Sequence, residues 1–342
     1  MKVLNQSAPE PFLPSLSLNH LIKYLNLINL HNCLFNMSGE GYLNQANLHT
    51  RAKWRSALLT YPGNLKEALK EAQKDPKKTL FGVAQGIPSV FLTKVFASAR
   101  PDFIWMDVEH GMFDRLTLND AIQAAQHHSE GETLVIVRVP KEDEIALSTA
   151  LDAGASGIII PHCESKEEVE EFMKKMYYPP LGARSFSPWT FTPGVSDLSL
   201  YPEDSFNMKT SNNHIAIIPQ IESVKGIENV DEIASIPGVS ALMFGPGDFM
   251  ADARVPLALG GPPHPVLASA MESMSKAGKK YDIPLFGGAL APEMIPMMVE
   301  SGHRGIMVMF DVWSVANLTK SSVQTAKELI GALDKKPNGE AK

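Results

Sequence analysis

From residue 80 onward the chain alternates between two hydrophobic periods. Short runs such as Leu134-Val135-Ile136-Val137 and Gly157-Ile158-Ile159-Ile160 carry almost no polar positions, as strands buried on both faces do. Between them lie longer segments in which apolar residues return every three or four positions, the signature of a helix with one covered face. The pattern predicts strands over 80–85, 103–107, 134–139, 157–161, 215–221, 241–244, 285–287 and 305–309. It predicts helices over 65–73, 88–99, 142–153, 166–176, 264–281 and 292–301, among others. Gly154, Gly238 and Gly302 stand just ahead of strands, where helices often end in a left-handed residue. Eight β/α units within about 250 residues suit a closed (β/α)8 TIM barrel. An open doubly wound sheet is the structural rival, but it more often brings a glycine-rich nucleotide fingerprint, and no GxGxxG occurs.

The flanks read differently. Residues 1–50 are rich in Asn, Leu and Ser with little periodicity, so they are expected to form a poorly structured N-terminal extension, followed by a barrel domain over 51–335 and a disordered tail over 336–342. Met37 opens a more ordinary sequence, so residues 1–36 read either as part of that extension or as a consequence of start-site choice. The apolar stretch 21–30 is interrupted by Lys23, Asn26 and Asn29, too polar for a signal-peptide core and too short to span a bilayer. A net charge of −7 without a dense basic run argues against nucleic acid or an anionic membrane as partner. Cys33 and Cys163 have no CxxC partner, which fits a reducing, cytoplasmic setting.

In a closed barrel of this kind the chemistry sits at the C-terminal ends of the strands. There the sequence places Asp107 and His110, Arg138, His162, Gln220 and Glu222, Asp248, and Asp311, on six separate strands. Glu222 and Asp248, at successive strand ends, are the metal candidates, since hard carboxylates with open positions suit Mg2+ or Mn2+. The competing assignment is a helix cap or a lysine pair for each acid. Arg138 ends an otherwise apolar strand and needs an anion, either a metal-bound 2-oxo acid or a ring acid such as Asp107. Asp107 and His110 read as an acid orienting an imidazole for proton transfer, against a loop histidine that only hydrogen-bonds a neighbour. His162 is left open between lining the pocket and satisfying backbone groups. His127 and His128 close a helix and fit a favourable dipole interaction.

These residues lie in strings that resemble one family. Met106-Asp107-Val108-Glu109-His110-Gly111, Arg138-Val139-Pro140, Leu151-Asp152-Ala153-Gly154-Ala155, Tyr178-Pro179-Pro180-Leu181-Gly182-Ala183-Arg184, Gln220-Ile221-Glu222 and Phe244-Gly245-Pro246-Gly247-Asp248 are similar in order and spacing to the HpcH/HpaI aldolase/citrate lyase family. The likeness runs from about residue 80 to 330 and is nearest to class II pyruvate aldolases acting on 4-hydroxy-2-oxo-heptanedioate and related acids. It implies a barrel of the phosphoenolpyruvate/pyruvate type, with a divalent cation (Mg2+, Mn2+ or Co2+) on Glu222 and Asp248. It implies enolate stabilisation by Arg138, proton relay by His110 with Asp107, Gln220 beside pyruvate, and the amides of Gly247 and Asp248 on its carboxylate. Asp152 corresponds to a residue given to a neighbouring subunit's site, so a homo-oligomer, hexameric and exchanging its last helix, is implied. Gly247 stands where an alanine is usual. The 185–209 and 252–263 segments are idiosyncratic, so the acceptor aldehyde does not carry over.

The activity expected is therefore cleavage or formation of 4-hydroxy-2-oxo acids, giving pyruvate and an aldehyde. A Schiff-base aldolase would need a strand-end lysine, and the candidate, Lys141, sits in a charged Lys-Glu-Asp-Glu run that reads as solvated. A citrate-lyase-like enzyme acting on acyl-CoA would want a basic track for the nucleotide. A catalytically silent binding barrel is the remaining alternative.

Overall fold

Strands β1 (Leu80–Gln85), β2 (Phe103–Asp107), β3 (Leu134–Arg138), β4 (Gly157–Ile160), β5 (Ala216–Ile221), β6 (Leu242–Phe244), β7 (Leu285–Gly288) and β8 (His303–Phe310) pair in sequence order, all parallel, and β8 closes on β1. This computed structural model describes residues 62–187, 208–256 and 263–333. The expected N-terminal extension and C-terminal tail, and most of the two idiosyncratic segments, lie outside the described residues. All described residues belong to one unit, Arg51–Lys342.

Alternation along each strand divides the core in two. Phe103, Trp105, Ile136, Ile159, Ala216, Ile218, Phe286 and Met307 fill the barrel interior. Their odd-step neighbours Ile104, Met106, Val135, Val137, Ile158 and Ile217 face the helices outside. The covering helices are α2 (Val90–Ser98), α3 (Arg115–His128), α4 (Glu144–Asp152), α5 (Lys166–Met176), α6 (Met208–His214), α7 (Val224–Glu228), α8 (Val230–Ala234), α9 (Pro246–Asp252), α10 (Pro265–Tyr281), α11 (Ile295–Ser301) and α12 (Asp311–Leu333). One helix before the barrel, α1 (Leu65–Lys74), presses Leu65 and Leu69 into the interior cluster and so plugs the N-terminal end.

Most predicted elements stand within two residues of their expected bounds, and β1, β2 and α5 match them. β3 and β4 each stop one residue early, ahead of Pro140 and Pro161. β8 is longer by three residues, because it starts at His303, which pairs with Leu285 despite its polarity, and ends at Phe310, which pairs with Ala84. The expected helix over 292–301 is a 3-10 turn followed by α11. Gly154, Gly238 and Gly302 adopt φ of 100°, 101° and 109°, the left-handed geometry expected of them.

Asp311 does not join the polar ring at the barrel mouth. It is 2% exposed, and its carboxylate accepts from the amides of Gly86, Ile87 and Val312, tying the loop after β1 to the start of α12. Replacing it leaves those amides without an acceptor, so Asp311→Ala is expected to destabilise the fold by about 3 kcal/mol, read as a lowered denaturant midpoint.

Candidate active site

Strand parity assembles the site. The interior columns Phe103-Trp105 in β2, Leu134-Ile136 in β3 and Ala216-Ile218 in β5 continue, two residues further on, to Asp107, Arg138 and Gln220. One more step of the same column beyond β5 is Glu222. Asp107 and Arg138 are direct register partners, and their side chains meet: Arg138 Nε donates to Asp107 Oδ1 at 2.9 Å and Nη2 to Oδ2 at 2.6 Å. Glu109 Oε2 lies 3.2 Å from Arg138 Nε, and the guanidinium stands 5.1 Å from the centre of the Trp105 ring. The remaining nitrogen, Nη1, faces Gln220 Oε1 at 3.5 Å.

Gln220 then passes the network on. Its Nε2 donates to Glu222 Oε2 at 2.6 Å, while the backbone amide of His162 donates to Glu222 Oε1 at 2.8 Å. Burial disfavours the charged form of Glu222 and raises its pKa above the ordinary carboxylate value. The nearby Asp248 adds to that shift, while the His162 amide and Arg138 oppose it. For Arg138, burial alone would lower the pKa, but its bonds to Asp107 and the charges of Asp107, Glu109 and Glu222 raise it, so the side chain is a fixed cation.

His162 adopts φ 49°, which turns its carbonyl toward Lys141 Nζ at 2.9 Å and its imidazole toward Glu222, 3.8 Å from Oε1. Ligand atoms of His162, Glu222 and Asp248 lie within 4.8 Å of one another. The donor set fits a divalent cation. Each Glu222 oxygen is held by one N–H and keeps a second lone pair, and a cation beside it would offset the cost of its buried charge. Two carboxylates suit a hard ion, and an imidazole widens the range toward Mn2+ or Co2+. Gly245 leaves the room: a Cβ there would run into Glu222 Oε2 and Gln220 Nε2. Around Gly247 nothing lies within 4 Å of the Cβ position, so the alanine usual there would fit. The amides of Gly247 and Asp248, in the first turn of α9, have no acceptor within the helix.

Several expectations need correcting. Asp107 does not orient the His110 imidazole; its carboxylate binds Arg138 and accepts from the amides of Glu109 and His110. The His110 side chain is 67% exposed, and the acid beside it is Glu109, 3.9 Å away. Asp152 is a separate case: it accepts from Arg184 Nη2 at 2.5 Å away from this cluster, which leaves its expected place at a neighbouring subunit's site unchanged. Lys141 is not simply solvated, being paired with Glu168 at 2.8 Å and with the His162 carbonyl. Glu109 was missed, although the parity that places Asp107 inside also places the second residue after it there.

The fold and this mouth define a (β/α)8-barrel enzyme whose His162, Glu222 and Asp248 could hold a metal ion close to a fixed arginine. Residues 88–317 match HpcH/HpaI aldolase/citrate lyase. The structure of macrophomate synthase is 60% identical, with a TM-score of 0.78, and the match covers 85% of this chain and 98% of that one. The hydroxypyruvate/pyruvate aldolase of Paraburkholderia phytofirmans is 29% identical over 269 residues, 78% of this chain and 99% of that protein. The 5-keto-4-deoxy-D-glucarate aldolase of Shigella sonnei is 29% identical over 232 residues, covering 68% and 83%. The chain belongs to the HpcH/HpaI aldolase/citrate lyase family and is a carbon–carbon lyase.

Gly245→Ala is expected to displace Glu222 and weaken Mn2+ binding by about 10- to 100-fold, while Gly247→Ala leaves it unchanged; titration calorimetry reads both. The pH dependence follows from the raised pKa of Glu222. Below that pKa the carboxyl is protonated and competes with the metal, so affinity is expected to rise with pH through the range above the ordinary carboxylate value and then level off. Calorimetry in two buffers of different ionisation enthalpy should record proton release within that window.

Proposed function

We propose that this enzyme is a metal-dependent class II aldolase that cleaves or forms 4-hydroxy-2-oxo acids through the enolate of pyruvate. The observation that carries the reading is the continuous line from Arg138 through Gln220 to Glu222, which aims a fixed cation at the ligand sphere of the metal group. A divalent cation on Glu222 and Asp248, of which Mg2+, Mn2+ and Co2+ suit the donors, would supply Lewis-acid polarisation of the 2-oxo group.

The chain's own residues then do the following. The amides of Gly247 and Asp248 hold the substrate carboxylate. Arg138 donates to the 2-oxo oxygen and is kept in place by Asp107 and Glu109, so it need not reorganise as charge grows there. Gln220 lies beside the pyruvate unit and spans Arg138 and Glu222. His110, exposed at the mouth with Glu109 beside it, takes the proton of the 4-hydroxyl. The C3–C4 bond breaks, its electron pair moves toward the 2-oxo oxygen, and the aldehyde leaves. Protonation at C3 gives pyruvate.

Likeness to macrophomate synthase at 60% identity favours the forming direction over cleavage as the one this enzyme runs. Pyruvate release from a panel of 4-hydroxy-2-oxo acids, set against pyruvate consumption with candidate acceptors, separates the two.

A homo-oligomer is part of this proposal. Trp313, Leu318 and Ile330 on α12 are 54%, 65% and 66% exposed, more apolar surface than an unpartnered helix usually carries. Asp152 would then serve a neighbouring subunit's site. Buried Cys163, a free thiol, suits a cytoplasmic setting, and among the described residues no helix is long and apolar enough to cross a membrane.

EDTA is expected to abolish pyruvate release, with Mn2+ or Mg2+ restoring it; a borohydride-trapped adduct with pyruvate would overturn the mechanism. Arg138→Ala should lower kcat by about 10²- to 10³-fold, the effect of losing one oxyanion donor, with Mn2+ affinity retained. Light scattering should give a mass several times that of the 37.4 kDa chain.

A further inference from the structure

At the other end of the barrel, a cavity of about 1060 Å³ lies between α1 and the loops that lead into β6 and β7. It stands one strand length, roughly 20 Å, from the mouth that holds Glu222. Its volume is at the upper end of small-molecule pockets. Lys66 and Lys70, one helical turn apart, both line it. The Lys66 ammonium donates to the carbonyl of Asn212 at 2.7 Å and lies 4.3 Å from the centre of the Tyr177 ring. Among the described residues, neither lysine has a carboxylate partner. Burial, and then the charge of Lys70, bring the pKa of Lys66 down to about 8, so the site holds a cation at a cost that a bound anion would offset.

The polar groups of the same wall are partly spoken for. Gln73 Nε2 donates to Asp282 Oδ1 at 2.9 Å. Since an ionised carboxylate can only accept, that bond fixes which way the amide points. Gln73 Oε1 is closed off from solvent and so does not face the cavity. The other charged lining groups are Lys74, already tied to Glu71 at 3.0 Å, Glu67 and Asp282. Those two acids oppose a bare polyanion but accept readily from hydroxyls.

We propose that this cavity is a second binding site, taking a polyhydroxylated acid whose anionic head meets Lys66 and Lys70 and whose hydroxyls meet Glu67 and Asp282. The head is a carboxylate or a phosphate, as in a sugar acid or a sugar phosphate. The chain's net charge of −7 repels anions at large, so the attraction is local to this wall.

The test is trinitrobenzenesulfonate labelling of the full chain near pH 8, where Lys66 is half neutral, quantified by peptide mass spectrometry. Lys94 on α2 and Lys276 on α10, both exposed, serve as references. The probes are gluconate and glucose 6-phosphate, with KCl at matched ionic strength. At a probe concentration about ten times Kd, labelling of Lys66 should fall about tenfold with the reference lysines unchanged and KCl without effect. Protection by gluconate alone assigns a carboxylate head, and by glucose 6-phosphate alone a phosphate head. The exposed substitution Lys70→Gln should abolish the protection, and Arg138→Ala should keep it. No protection by either probe, equal protection in Lys70→Gln, or loss of protection in Arg138→Ala would each overturn the proposal.

Discussion

Glu222 puts a carboxylate at the mouth of the barrel with only 1% of its surface exposed, where water can do little to stabilise its charge. Two N–H groups hold it, one from the backbone of His162 and one from Gln220, and neither brings a full positive charge. Arg138 is near, but both of its strong bonds go to Asp107. The charge of Glu222 is therefore under-compensated within the chain, and the geometry around it can be understood as a cradle for an external cation. Gly245 withdraws its side chain, His162 takes a left-handed conformation, and Asp248 comes forward on the first turn of α9.

The second constraint is the fixed direction of Arg138. A guanidinium held bidentately by Asp107, approached by Glu109 and resting over Trp105 has little freedom to turn. That rigidity is what lets a donor stabilise charge developing on a substrate oxygen without first reorganising. It also makes Asp107 a positioning residue. Removing it would leave a buried cation unpaired, a loss of about 3–5 kcal/mol where such pairs are broken on one side. The ring of polar groups is thus two linked halves, an electrostatic clamp on β2 and β3 and a ligand set on β4 to β6, joined by the single amide of Gln220.

Much of this was legible in the chain. Period-two and period-3.6 patterns located all eight strands, and the strand-end rule placed Glu222, Asp248, Arg138 and Gln220 at the barrel mouth, where the structure has them. What stayed hidden depends on register and side-chain direction. Asp107 has two polar neighbours, His110 in sequence and Arg138 across the sheet, and only the pairing of β2 with β3 decides between them. His162 could face the pocket or the backbone until its φ is known, and its imidazole turns toward Glu222. Asp311 stands at a strand end like the others, yet it is turned to the backbone of the loop after β1. Polar residues within β8 concealed its true start.

The central claim is that Glu222 and Asp248 share one cation whose open positions face Arg138. A crystal soaked with Mn2+ and pyruvate, measured for anomalous scattering near the manganese edge, tests it directly. The account requires a single strong peak within ligand distance of both carboxylates, with the pyruvate oxygens between that peak and the guanidinium. A peak away from those two acids, or pyruvate bound with Arg138 turned from it, would contradict it.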